Sequence, residues 1–403
     1  MQNKEKILSE ILNLVGRRNP LFQNDLPEYE NILKETIHGS KVLIIGGAGS
    51  IGQHVVKEVF KRNPKVLHVV DISENNMVEL VRDIRSSLGY MEGETLFVPI
   101  CMGSVEFQLF WSENSPYDYV FNLAAMKHVR SEKDHFSLMR MINTNIMYTQ
   151  KTYQLSSDSG AKKYFAVSTD KAANPANLMG ATKRLMEILL AQQEGKTSVS
   201  TARFANVAFS DGSLLHGFNS RLTKKQPLSA PKDIKRYFMS GQEAGLLCLF
   251  SAAIGKDQEI YFPNLDPAEN LITFSQIAER YLASKGFEAV EMSSEDEARE
   301  LAEEMIAQKK WPCYFFNSDT SGEKPFEEFF STSDDVNWDR HQDLGVINGI
   351  VNTTEKPMSE FIDKVKRIIE NRAWDKEQLV ELIKIYCPTL QHVETGKFLD
   401  GKM

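Results

Sequence analysis

KVLIIGGAGSIGQHVVKEVFKRNPKVLHVVD, residues 41–71, decides the fold. Its first six residues, 41–46, form a short apolar run of the kind a parallel strand buried on both faces requires. Gly46, Gly49 and Gly52 follow as a GxxGxxG turn, and Val55, Val56, Val59 and Phe60 then recur on one helical face. A second apolar run, 65–71, ends in Asp71. Glycines at such a turn let the backbone approach a pyrophosphate, and the helix N-terminus behind them offers N–H groups and a positive dipole end to that anion. A glycine triplet alone is weak evidence. Strand, glycines, helix and a second strand tipped by an acid together read as a dinucleotide-binding βαβ unit. Gly46, Gly49, Ser50, Ile51 and Gly52 are therefore the expected cofactor loop, with Asp71 placed to accept both ribose hydroxyls. A carboxylate there repels a 2′-phosphate, so NAD is expected over NADP. The duller role for Asp71, capping a helix near Ser73, is the weaker reading in this context.

Outward from that unit, apolar runs at 41–46, 66–71, 95–100, 118–123, 162–168 and 198–203 read as strands, with helical patterns between several of them. This alternation predicts an α/β fold, a Rossmann-like doubly wound parallel sheet. After residue 208 the alternation breaks down, and Gly, Ser and Pro punctuate a region expected to form a smaller C-terminal substrate-binding lobe. The expected organisation is an N-terminal helical extension at 1–40, the NAD-binding domain at 41–208, the lobe at 209–335, with some sheet strands shared, and a C-terminal helical extension at 336–403. Residues 1–37 read as two amphipathic helices broken near Arg17–Pro20, with Ile7, Ile11, Leu12 and Leu14 in a stripe that could dock on the domain or on another subunit. The acidic stretch Ser294–Glu304 reads as solvated first turns of a helix.

Composition narrows the class. The chain of 403 residues is 42% hydrophobic and 25% charged, as ordinary globular proteins are. A net charge of −8 with no basic stripe argues against nucleic acid as a partner. The four cysteines, Cys101, Cys248, Cys313 and Cys387, form no CxxC pair, which fits a reducing compartment and no metal site. No apolar run approaches the length of a membrane span, so no membrane association and a cytoplasmic location are expected.

The chemistry concentrates in residues 164–187, YFAVSTDKAANPANLMGATKRLME. A strand ends in Thr169, Asp170 and Lys171, a proline-bearing loop follows, and a helix opens at Met179 with Lys183 one turn on. A hydroxyl, a carboxylate and an amine at a strand's C-terminal end can converge on one ligand, because that end is where open α/β sheets bind. Met179 cannot take a proton. Either the site is dead or the triplet carries the proton traffic.

GGAGSIG, NLAAMKHV (122–129), STDKAANPANLMGATK (168–183), RFANV (203–207), RYFMS (236–240) and SGEK (321–324) occur in the order found in one family. Over roughly residues 40–335 the chain resembles the UDP-N-acetylglucosamine 4,6-dehydratases of polysaccharide biosynthesis, extended short-chain dehydrogenases/reductases. Members that invert C5 carry tyrosine where Met179 stands. A second branch, many of whose members are long and membrane-anchored, carries methionine and retains configuration. The chain is similar to a version of that branch without a membrane segment. The resemblance implies that Asn122, Ala124 and Ala125 pass beside the nicotinamide ribose and that Lys183 holds its hydroxyls. It places Lys127, Asn206, Ser213, Arg236 and Glu323 against a UDP-sugar substrate, and a homo-oligomer is expected. The chain departs from the pattern where an aspartate usually ends the third strand to read adenine, since Cys101 stands there. It departs again where Thr320-Ser321 replaces an arginine-proline before GEK.

The resemblance implies a redox-neutral dehydration: oxidation at sugar C4, loss of water across C5 and C6, and hydride return to C6. Lys171 is the expected C5 base, Asp170 the expected acid for the C6 hydroxyl, and Thr169 the hydrogen-bonding partner of O4. Three alternatives stay open: the C5-inverting dehydratase, a C4 epimerase, and a non-catalytic NAD-binding sensor. His128 reads as a structural histidine, and Arg236 either as a diphosphate ligand or as a structural ion pair.

Overall fold

The computed structural model describes residues 2–319 and 322–392. The strands expected from apolar runs are present as β1 (Lys41–Ile45), β2 (Val66–Asp71), β3 (Glu94–Pro99), β4 (Tyr119–Asn122), β5 (Lys163–Thr169) and β6 (Ser198–Phe204). They run parallel in the order β6-β5-β4-β1-β2-β3 within a nine-stranded sheet. The chain order reverses between β1 and β4, so their C-terminal ends splay apart into the crevice where such sheets bind ligands. Beyond β6 the sheet continues: the strand Glu259–Pro263 lies parallel to it, and Leu344–Ile347 and Val336–Asn337 close the edge antiparallel. The segment 336–403, expected to be helical, thus opens with two sheet strands before its helices Met358–Asn371 and Lys376–Tyr386.

Both sheet faces are covered. On one lie α2 (Asp25–Ile37), α3 (Gly52–Phe60), α4 (Glu74–Ser87) and α10 (Gly241–Ile254), with Val56, Leu80 and Leu247 in one core. On the other, α5 (Val105–Asn114), α7 (Tyr148–Asp158) and α8 (Leu178–Ala191) bury Phe107, Tyr153 and Met186. Between α5 and α7 run α6 (His135–Ile142) and a π-helical segment, Asn143–Met147. The smaller lobe packs α9 (Leu214–Thr223) and the helix Phe274–Ser284 on a three-stranded sheet that includes Lys310–Phe316. Ser294 caps a short helix, Glu295–Glu300, in the acidic stretch, as expected.

The N-terminal helices dock on the chain's own body. In α1 (Gln2–Leu14) Leu12 is buried and Ile11 and Leu14 pack on the lobe's core, while Phe22, Leu33 and Ile37 join the main core. Arg17 makes a buried two-point contact with Glu243, at 2.9 and 2.6 Å. Glu243 also completes the capping box with Ser240 that starts α10. Among the described residues no helix is long and apolar enough to cross a membrane, and no acid, histidine and cysteine cluster could hold a metal ion.

Candidate active site

The glycine turn is shaped for close backbone approach. Gly46 has φ +78°, in the left-handed region, and a Cβ there would lie 2.5 Å from the Ala124 backbone nitrogen. At Gly52 a Cβ would lie 2.1 Å from the Gly46 carbonyl oxygen. Only glycine lets β1 turn this tightly against the end of β4 and into α3. Asp71 fixes the loop from the side: Oδ2 accepts from Ala48 N at 2.9 Å and Oδ1 from Ser73 N at 2.9 Å. Ser73, not Asp71, caps α4 by accepting from Asn76 N, and each Asp71 carboxylate oxygen keeps a second lone pair.

Two cavities meet across this turn and share Gly46, Gly49, Leu123 and Ala125 in their walls. The first, about 670 Å³, runs over Asp71, Ile72, Cys101 and Ala124 at the strand tips. The second, about 410 Å³, is lined by Ser50, Ile51 and Gly52 on one side and by Thr169, Lys171, Met179 and Lys183 on the other. Lys127, Asn206 and Ser213 also line it, and Ser213 caps α9 by accepting from His216 N.

The triplet is held by its own hydrogen bonds. Thr169 Oγ1 donates to Asp170 Oδ1 at 2.8 Å, and the Lys171 backbone N–H and Nζ donate to the same oxygen at 2.8 and 3.0 Å. Lys171 Nζ also reaches Asn206 Oδ1 at 3.5 Å. Asp170 is 3% exposed and is not part of the cavity wall. It sits behind Thr169 and Lys171 and addresses the cavity through them. Gly180 permits this packing, since a Cβ there would lie 2.4 Å from the Lys171 carbonyl oxygen. Asn177 caps α8 by accepting from Gly180 N, and Glu132 accepts from Met179 N at 2.7 Å.

Lys183 is buried at the cavity wall and donates to Val167 O at 2.8 Å. Burial brings its pKa down to about 7, opposed by the charge of Glu187. In the unfolded chain a lysine stays protonated to about 10.4. Between those values the unfolded state binds more protons, so the destabilising effect of this amine is full below pH 7 and is relieved as pH rises. Lys183→Met is therefore expected to raise Tm at pH 6 relative to its effect at pH 9, measured by calorimetry on protein stripped of cofactor. A pH-independent difference would contradict the assignment.

Several residues come out differently placed. The Asn122 side chain turns into the interior, donating to Thr149 Oγ1 and Tyr164 OH, while its neighbours Ala124 and Ala125 face the cavities. Arg236 is 4% exposed and lies outside both cavity walls. Its Nη1 donates to the carbonyls of Lys235 and Lys324, and its Nη2 lies 3.6 Å from Glu323 and 3.8 Å from Glu327. In this arrangement Arg236 and Glu323 pin the Gly322–Pro325 segment. Thr320-Ser321 lies outside the described residues. His128, at the cavity edge, packs against Gly212, consistent with a structural role.

Three groups behind the site carried no local sequence signal. Glu187 accepts from Ser168 Oγ, Arg184 and Arg203, and Arg203 continues to the Asp334 carboxylate, itself enclosed although the residue is only partly buried. Burial alone would raise the Glu187 pKa, but Arg203 and Arg184 outweigh it and hold the carboxyl at about 2. The network thereby locks the end of β5. Asn145, in the π-helical segment, clamps Met126 through both its N–H and its C=O and reaches Thr182. Glu327, 3% exposed, has its pKa raised first by burial and then by Asp170, with Lys171 and Arg236 opposing.

This architecture is a Rossmann-like doubly wound fold, shared with solved structures. Pen from Bacillus thuringiensis superposes with a TM-score of 0.64 at 21% identity, covering 83% of this chain and 98% of that one. DesIV, a dTDP-glucose 4,6-dehydratase from Streptomyces venezuelae solved with NAD and TYD bound, gives 0.54 at 17%, again covering 83% and 98%. Sequence narrows the class: the profile of the polysaccharide biosynthesis protein family matches residues 42–348, and the chain belongs to that family. An uncharacterized membrane protein of Methanocaldococcus jannaschii is 34% identical over 55% of this chain and 65% of its own length. The inverting UDP-N-acetylglucosamine 4,6-dehydratase of Campylobacter jejuni is 30% identical over 57% and 68%. A UDP-glucose 4-epimerase from Rickettsia typhi matches at 27% over 60% and 71%. The chain spans between 44% and 65% of the length of the first curated relatives it matches.

Proposed function

We propose that the protein is an NAD-dependent nucleotide-sugar 4,6-dehydratase acting on UDP-N-acetylglucosamine. The observation that carries this reading is the Thr169–Asp170–Lys171 cluster, whose Thr169 and Lys171 line the cavity beside Met179, where an enzyme relying on tyrosine would need a hydroxyl, with Asp170 bonded behind them. The 30% identity to a dehydratase of that substrate supports it. The glycine turn and Asp71 fit an NAD pyrophosphate and ribose, and Lys183 fits the nicotinamide ribose. When bound, the nicotinamide supplies a hydride acceptor and donor.

The chain's own residues supply the rest. Lys127 and the N-terminus of α9, both at the second cavity, suit the diphosphate of the sugar nucleotide. Thr169 hydrogen-bonds O4 and passes its proton to Asp170. Lys171 removes the C5 proton and gives it back to C5 at the end of the cycle, and Asp170 returns a proton to the departing C6 hydroxyl. An epimerase reading needs no acid–base pair for C5 and C6, and the intact triplet favours dehydration over it. A sensor has no use for the pair at all.

The purified protein is expected to carry NAD(H), released on denaturation and identified by chromatography; mainly NADP(H) would refute the role of Asp71. Incubation with UDP-N-acetylglucosamine should give a nucleotide sugar lighter by one water by mass spectrometry, whereas an isobaric product would identify an epimerase. Met179→Tyr is expected to leave the rate unchanged or lower, since the proton path does not pass through that position. A large gain in kcat would identify a degraded tyrosine-dependent enzyme.

A further inference from the structure

The first cavity has one wall that the dinucleotide fold does not supply. Its lining up to Tyr148 comes from strand tips and from α6 with the π-helical segment, and then from a single distant residue, Trp374, in the connection between the helices Met358–Asn371 and Lys376–Tyr386. That helix pair is firmly seated, with Leu379, Ile383 and Tyr386 sharing a core with Ile142, Leu185 and Leu189. Trp374 is half-buried, and its indole N–H donates to the His135 carbonyl at 3.2 Å, fixing the ring at the start of α6.

Beside it the cavity carries Phe136, 68% exposed, and the exposed Arg140. A large ring left in water at a cavity edge, next to an indole and a guanidinium, makes a surface for a flat, polarisable ligand. At the same end the tip of β3 presents Cys101 and Met102 and no carboxylate. The one carboxylate in this cavity's lining, Asp71, is the one the dinucleotide reading gives to the ribose, so a base lying at the β3 tip must be held chiefly by its faces.

We propose that Trp374, with Phe136 and Arg140, covers the adenine half of the bound dinucleotide, so that the C-terminal helix pair is a cofactor-retention element. This rests on the dinucleotide reading of the site. It also agrees with the proposed reaction, which leaves the cofactor in its starting redox state after every cycle. An enzyme that never exchanges its cofactor loses nothing in turnover when the exit is covered.

ADP-ribose, which has the adenosine half and no nicotinamide, is the direct probe. On full-length protein stripped of cofactor, Trp374→Ala is expected to weaken ADP-ribose binding by about ten-fold or more by calorimetry, the range base-on-aromatic stacking provides. Trp374→Phe should keep most of the affinity while losing most of the tryptophan fluorescence change on binding. Arg140→Ala, at an exposed position, should speed NADH dissociation in a chase with excess NAD. ADP-ribose affinity within two-fold of wild type in both Trp374→Ala and Arg140→Ala would overturn the proposal while leaving the dinucleotide site intact. A wild-type protein that binds neither ADP-ribose nor NAD(H) would overturn both readings together.

Discussion

Asp170→Asn is expected to abolish dehydration and, with it, the appearance of reduced nicotinamide when UDP-N-acetylglucosamine is added. Oxidation at C4 releases a proton from O4, and elimination soon requires one at O6. The carboxylate of Asp170 is 3% exposed and meets the cavity through the Thr169 hydroxyl, 2.8 Å away. That geometry suits a relay in which Thr169 hands the O4 proton to Asp170 and Asp170 later delivers it to O6. One group then serves both steps, and no carboxyl need be protonated in advance at neutral pH. An amide keeps the shape of the site but cannot take the proton, so the loss should be on the order of 10²–10⁴-fold in each step. Thr169→Val, which removes the hydroxyl and keeps the volume, should lose C4 oxidation to a similar extent. Stopped-flow absorbance of the nicotinamide decides the matter. Build-up of the reduced form in Asp170→Asn would exclude the shuttle and leave Lys183, acting through water, as the redox base.

Lys171→Ala should behave in the opposite way: C4 oxidation proceeds and the cycle then stalls. The amine lines the cavity and is tethered to Asp170 at 3.0 Å and to Asn206 at 3.5 Å, which holds it at the rim of the triplet. Without it nothing at that position removes the C5 proton. Reduced nicotinamide and a 4-keto sugar still bearing its C6 hydroxyl should accumulate to about one equivalent per site, with elimination slowed on the order of 10²–10⁴-fold. Lys171→Gln, which keeps a donor toward Asp170, should stall at the same point. Failure of either variant to form reduced nicotinamide would place Lys171 in the first step.

Much of this site was legible because its signals are local. β1, β2, β5 and β6 are short apolar runs, the glycine turn follows β1 at once, and the triplet and its helix lie within residues 164–187. What the sequence hid depends on contacts between distant positions. Arg236 resembles an anion ligand by type, yet the Lys324 carbonyl and the acids Glu323 and Glu327 claim its guanidinium. Asn122 turns inward because Thr149 and Tyr164 offer it partners across the helix–sheet interface. The strands Glu259–Pro263 and Leu344–Ile347 fall after residue 208, where the regular alternation breaks down and nothing local marks them as extensions of the main sheet. The Glu187–Arg203–Asp334 network spans three separate stretches of chain, so no spacing rule could have joined its members.

Substrate carrying deuterium at C4 tests the central claim most directly. If the protein is a 4,6-dehydratase, the hydride taken from C4 returns to C6 of the same molecule. The product should then be lighter by one water, with the label in its C6 methyl group by NMR. A product of unchanged formula with deuterium still at C4, or a dehydrated product with no label at C6, would contradict the account.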